Sequence, residues 1–417
     1  MRKTSSILFI MALALIFRLV VIFDSERPAP RIAQESNFAP DSGDYYQHSK
    51  NLLEGRGYGF GYPTITRAWY RAPGYPIFLY LIFRFIAHSF LAVKIIQSVV
   101  DTFTVLLVYL TARTFFLRTK VSLCSGFIYA LYPYAILHTA DILTECLFSF
   151  FYVLSNLLIL KIVIKNKGGA HHFFAGLFLA IAALIRSTLV LFLIFLMVYL
   201  FFRLKGEKKS RAYLGILFVG FLVPVMPWII YTFAATGRFI PISTTGVAGF
   251  WAVHTEYGTS YAFLKPASLA ARVVFFDQFQ SQDSSAWFLK DACRFILDHP
   301  VLVLKTKCYG FLHFWQMVPK VAGHSFFRIL LNCFSVSVVP IAGLLGLFMA
   351  AKKKMSGVSY LLAVFIFFTV IHVIIVGIAR YRVPLIDPYL IIFCSYLFWQ
   401  VCDSMTIRSL NKKSLCA

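Results

Sequence analysis

Long apolar runs separated by short polar stretches fill almost the whole chain, and the length of each run predicts its element. Runs at 91–112, 121–140, 145–162, 172–186, 188–202, 213–234, 325–350, 357–378 and 385–402 read as membrane helices. Residues 7–23 add a tenth, following Arg2 and Lys3. That first run resembles a signal peptide, but Arg18 interrupts it and no small-x-small site follows closely, so an uncleaved helix is expected. The run from Pro76 to Ala87 is about 18 Å long as a helix, too short to cross, and is expected along the interface. The fold class is therefore an all-α polytopic bundle of about ten transmembrane helices.

Two polar segments break the pattern, 24–75 and 235–324, leaving a transmembrane core over 1–234 and C-terminal helices over 325–417. In the first, Asp41 is placed to cap a helix from Ser42 to about Leu53, with Asp44 in its first turn and Gly55 and Gly57 ending it. Tyr45, Ser49, Leu52 and Leu53 share one face. In the second, Ser284 or Ser285 caps a helix carrying Trp287, Phe288, Ala292, Phe295 and Ile296. His299-Pro300 breaks it, and Pro300 opens another helix. Both are amphipathic and expected to lie flat on the outer leaflet.

Composition sharpens this picture. The 417 residues are 59% hydrophobic and 14% charged, which excludes an ordinary soluble domain. A formal charge of +23 would suit a nucleic-acid partner, but the basic residues sit in short clusters between apolar runs. With ten helices those clusters fall on one side, so both termini are expected in the cytoplasm. Of the 17 acids, only Glu207 and Asp403 fall on that side and Asp101 lies within a helix; the rest face out. The eight cysteines show no metal-ligand spacing, and a disulfide is considered only for Cys293 and Cys308. No cofactor is required by the sequence, which leaves a divalent metal open without supporting one. Arg18 and Asp101 come to about 16 Å and about 15 Å from opposite ends of their helices. In a layer about 30 Å thick those depths coincide. A pair is expected, the alternative being that Arg18 faces a lipid groove.

Several stretches then resemble the bacterial GT-C glycosyltransferases, in particular the protein O-mannosyltransferase-like and aminoarabinose lipid A transferase-like enzymes. Asp41-Ser42-x-x-Tyr45 followed by Asn51-Leu52-Leu53-Glu54-Gly55-Arg56-Gly57 resembles their first outer loop, and Arg71-Ala72-Pro73-Gly74-Tyr75-Pro76 its exit. Tyr132-Pro133 with Leu143-Thr144-Glu145, Pro227-Trp228 with Gly237-Arg238-Phe239-Ile240-Pro241, and Arg380-Tyr381-Arg382-Val383-Pro384 follow in the family's order. Two departures stand out. Tyr231-Thr232 replaces a frequent Arg-Asn pair, and Tyr70 stands where the aminoarabinose transferases carry a metal-binding glutamate.

The resemblance implies transfer of a sugar from a polyprenyl phosphate to an acceptor hydroxyl of a glycan, lipid or protein, with inversion, at the outer face of the bacterial inner membrane. It makes Asp41 the base, against its plain reading as a helix cap, and leaves Asp44 a lesser candidate. Arg71, Arg380 and Arg382 become phosphate ligands, where each would otherwise bind headgroups or snorkel. Tyr45, Glu145, Arg186 and His254 are expected around the substrates; Glu145 and Asp141, four apart, are expected on one helix face. The rival class is a transporter of an anionic lipid or solute, disfavoured because the chain shows no internal repeat. A membrane scaffold is disfavoured by the cost of intramembrane charge.

Overall fold

The computed structural model describes residues 2–25, 40–206, 209–259, 269–316 and 334–415. Glu207, Cys333 and the start of the helix expected at 325–350 lie outside them. Everything regular within them is helical. In chain order come α1 (Arg2–Ser25), α2 (Pro40–Leu53), α3 (Ile65–Ala68), α4 (Gly74–Phe85), α5 (Phe90–Phe116), α6 (Thr119–Ala130), α7 (Pro133–Ala140), α8 (Glu145–Lys165), α9 (Gly169–Ile185) and α10 (Leu189–Arg203). After these come α11 (Ser210–Thr236), α12 (Thr245–Ala252), α13 (Glu256–Thr259), α14 (Leu269–Ser281), α15 (Ser285–Asp298), α16 (Pro300–Phe314), α17 (Val339–Lys352), α18 (Val358–Ile374), α19 (Ala379–Leu385) and α20 (Asp387–Leu415).

The chain is an integral membrane protein, and the apolar runs within the described residues are helical, though only some of these helices are long enough to cross. Among the described residues, α1, α5, α8 and α11 are long and apolar enough to cross a membrane. Two bent pairs, α6 with α7 at 44° and α19 with α20 at 68°, are together long and apolar enough for one crossing each. Proline sets both bends: Pro133 opens α7, and Pro384 near the end of α19 removes a donor from the ladder. The pair at 172–202 appears as α9 and α10, of 17 and 15 residues, and α17 and α18 have 14 and 17; all four are shorter than a full crossing. A π-helical turn at Phe334–Val338 leads into α17.

Close approach of backbones holds the bundle, as expected where water supplies no driving force between helices. Gly176 of α9 lies against the Leu217 carbonyl of α11, and Gly220 of α11 against the Phe173 carbonyl of α9. Deeper in, Arg18 and Asp101 meet as expected, with Arg18 Nη2 at 2.5 Å and Nε at 2.7 Å from Asp101 Oδ2. Tyr129 donates to the other carboxylate oxygen at 3.1 Å, and Arg18 Nη1 donates to the Ala14 and Ala130 carbonyls. Arg18 is wholly buried, so it faces no lipid groove.

The two polar segments fold onto one end of the bundle. Ser284 caps α15 by accepting from the Trp287 N–H, and Pro300 opens α16, both as expected. Cys293 and Cys308 are separate free thiols, so that disulfide does not form. In the first segment His48 stacks on Tyr58, and Tyr58 on Trp69, with Trp228 against both. Burial pushes the His48 imidazole down to about 4, so the ring packs there neutral. The residues that depart from the family motif serve this core. Tyr231 Oη accepts from the Tyr58 N–H at 3.0 Å, and Thr232 Oγ1 donates to the Ile240 carbonyl at 3.2 Å.

Candidate active site

Helix α2 starts at Pro40, slightly earlier than expected, so Asp41 lies in its first turn and is not the cap. The carboxylate is turned toward side chains instead. Its Oδ1 accepts from Arg71 Nη2 at 2.8 Å, and its Oδ2 lies 3.4 Å from Arg380 Nη1. Arg71 enters from the short link between α3 and α4, anchored where Tyr58 donates to its carbonyl at 2.9 Å. Its guanidinium sits over the rings of Tyr45 and Tyr70 and reaches Asp44 through Nε at 2.9 Å. Burial pushes the Tyr45 phenol up to about 12, so the ring is a neutral platform beneath the cation.

Glu145 opens α8 and is 1% exposed. One oxygen, Oε1, serves two arginines: Arg186 Nη2 at 2.6 Å and Arg380 Nε at 2.5 Å. Arg186 also donates to Thr144 Oγ1 at 2.9 Å. Arg186 stands between α9 and α10, and Arg380 opens α19, so five separate chain segments converge here. Their heads border a cavity of about 170 Å³ lined by Asp41, Tyr45, Tyr70, Arg71, Arg186 and Arg380. Ile185, Ile375, Val376 and Leu385 give it an apolar side. Helix α12 closes the wall with Thr245 and Gly249, docked where Thr244 donates twice, its N–H to the Trp69 carbonyl at 2.9 Å and its hydroxyl to the Thr66 carbonyl at 2.6 Å.

Of the nine residues expected at a site, Asp41, Tyr45, Arg71, Arg186 and Arg380 line this cavity. Glu145 stands directly behind it, and Asp44 reaches it only through Arg71 and, at 4.0 Å, Arg67. Two stand elsewhere. Arg382 is fully buried and bound to Asp387 Oδ1 at 2.8 Å, while Tyr132 donates to the other carboxylate oxygen at 2.6 Å. That cluster ties the start of α7 to α19 and α20 and does not line the cavity. His254 is 2% exposed, bonded to the Phe250 carbonyl at 2.7 Å, and its pKa falls to about 4, chiefly through burial. Asp141 lies in extended backbone before α8 and shares no helix face with Glu145.

The sequence reading missed Ser187, Thr188, Thr245, His372 and Tyr381, which also line the cavity. Ser187 and Thr188 follow Arg186 directly, and Tyr381 follows Arg380, so adjacency was a usable signal for those three. His372 and Thr245 had none. Tyr70 lies beneath the Arg71 guanidinium, with its ring centroid 5.1 Å from Cζ. Among the described residues no three His, Cys, Asp or Glu side chains converge as metal ligands, and Asp41 and Glu145 both face arginine.

The family model of dolichyl-phosphate-mannose-protein mannosyltransferases matches residues 70–231, which include Arg71, Glu145 and Arg186. Among solved structures, the apo oligosaccharyltransferase of Archaeoglobus fulgidus superposes at a TM-score of 0.60 with 14% identity, over 99% of this chain and 52% of that one. The fold is that of the GT-C glycosyltransferases. The same GT-C enzyme tethered to an acceptor peptide gives 0.52 with 12% identity, covering 97% of this chain and 50% of that one. ArnT from Cupriavidus metallidurans aligns at 0.46 with 12% identity, covering 95% and 78%. The chain thus spans about half the length of the oligosaccharyltransferase it resembles. No curated protein matches it in sequence.

Proposed function

We propose that this GT-C chain is an inverting glycosyltransferase, moving a sugar from a polyprenyl phosphate to an acceptor hydroxyl at the outer face of the cytoplasmic membrane. The observation that carries the reading is the meeting of Asp41 with Arg71, Arg186 and Arg380 at one cavity. Three fixed cations suit a phosphate and the charge it gains on leaving. The apolar side suits the first units of a prenyl chain. The matched family's description, with its lipid phosphate donor, agrees with this.

In the reaction Asp41 takes the acceptor proton while the acceptor oxygen bonds to the anomeric carbon. The bond from that carbon to the phosphate oxygen breaks, and its electron pair leaves on the phosphate among the arginines. A single displacement inverts the centre. Glu145 is no second nucleophile, because its Oε1 is held behind the cavity by two guanidiniums. Without donor, Arg71 and Arg380 hold Asp41 itself. A phosphate that draws those two cations away releases the carboxylate as a base when there is a sugar to attack. The positive-inside rule supports the outward placement of this face.

Purified protein incubated with labelled polyprenyl phosphate sugars should release carrier phosphate only when an acceptor is present. Movement of intact donor across a vesicle membrane, with no release, would instead make the chain a transporter.

A further inference from the structure

Glu145 also lines a separate, much smaller cavity of about 10 Å³. Asp101, Tyr129, Tyr132, His138, Glu145 and Cys146 line it. Glu145 Oε2 and both ring nitrogens of His138 are buried there without a hydrogen-bond partner in the protein. The nearest carboxylate on the histidine's own turn, Asp141, is 3.9 Å from Nδ1, too far for a hydrogen bond. Buried polar atoms are almost always satisfied, and a polar cavity of this size has room for one water.

We propose that His138 and one water in this cavity bridge to Oε2 of Glu145, making His138 a positioning residue for the carboxylate that holds Arg186 and Arg380. The imidazole donates one N–H to the water, and the water donates to Oε2. Both carboxylate oxygens are then fixed, Oε2 by the water and Oε1 by the two guanidiniums. Remove the bridge and a buried anionic oxygen loses its donor; the carboxylate turns, and the arginines lose their anchor. The inference rests on Glu145 holding two cavity arginines, not on the reaction. A chain that transferred no sugar would leave it standing.

The test reads the arginines themselves. Phenylglyoxal labels guanidiniums, and peptide mass spectrometry gives the rate at each position. In His138→Leu, Arg186 and Arg380 should react roughly tenfold faster, the factor that follows from losing one hydrogen bond to a charged group. Arg71, held by Asp41 and Asp44, should keep its rate, and His138→Gln should restore all three. Unchanged rates at Arg186 and Arg380, or an equal rise at Arg71, would overturn the proposal. Should His138→Leu fail to fold, a density map of the unaltered protein decides. A water between Glu145 Oε2 and a His138 nitrogen is expected, and a dry contact or a histidine turned away refutes the bridge.

Discussion

Arg380 and Arg382 are two residues apart and do different work. On a helix that spacing points them to opposite sides, so one reaches the cavity and the other the interior. Arg382→Ala should lower the melting temperature and leave donor affinity in the surviving folded protein unchanged, because it strands Asp387. Arg380→Ala should do the reverse, weakening donor binding and turnover with little loss of fold. Titration calorimetry alongside thermal unfolding separates the two. The helical spacing was legible in the sequence, yet the shared motif drew both arginines into one role. The Arg18–Asp101 pair was legible too, because depth alone matched them. Arg18→Ala should cost about 3–5 kcal/mol, the range for stranding one partner of a buried pair. Adding Asp101→Asn should recover part of that; strictly additive losses in unfolding would speak against coupling.

Elements depend on what their neighbours tolerate. Helices α9 and α11 approach so closely at Gly176 and Gly220 that a single methyl meets backbone carbonyls. Gly176→Val should therefore push α9 off α11 and lower the thermal midpoint by several degrees, while Gly215→Val, whose added carbon would meet open space, should not. An equal effect at both positions would mean that propensity, not packing, is being read. Hydrophobic run lengths located the spans because a lipid-facing helix must be apolar along its whole length. They could not show the 68° bend between α19 and α20, nor that α12 packs its Thr245 into the cavity wall. The bend rests on Pro384 and the nearby Arg382–Asp387 pair, which run length does not register, and the docking of α12 on partners far off in sequence, Thr244 bonding to Thr66 and Trp69.

At the scale of the whole molecule, polar chemistry gathers at one end of an apolar bundle, between the polar segments and the ends of α8, α10 and α19. On the proposed topology that end faces outward, because the basic clusters lie on the other side. Reporter fusions at Gly206 and Met355 should read as cytoplasmic and one at Ser284 as external; an external reading at Gly206 would invert the account. The central claim is that Asp41 is a base held by arginines until phosphate takes them. Asp41→Asn keeps the shape but accepts no proton, and it removes the anion that competes for Arg71 and Arg380. The most direct measurement follows turnover and donor affinity together in this variant. The account predicts a fall in turnover on the order of 10²–10⁴ with donor binding retained or tightened. Near-normal turnover in Asp41→Asn, with Asp44→Asn inactive, would contradict it.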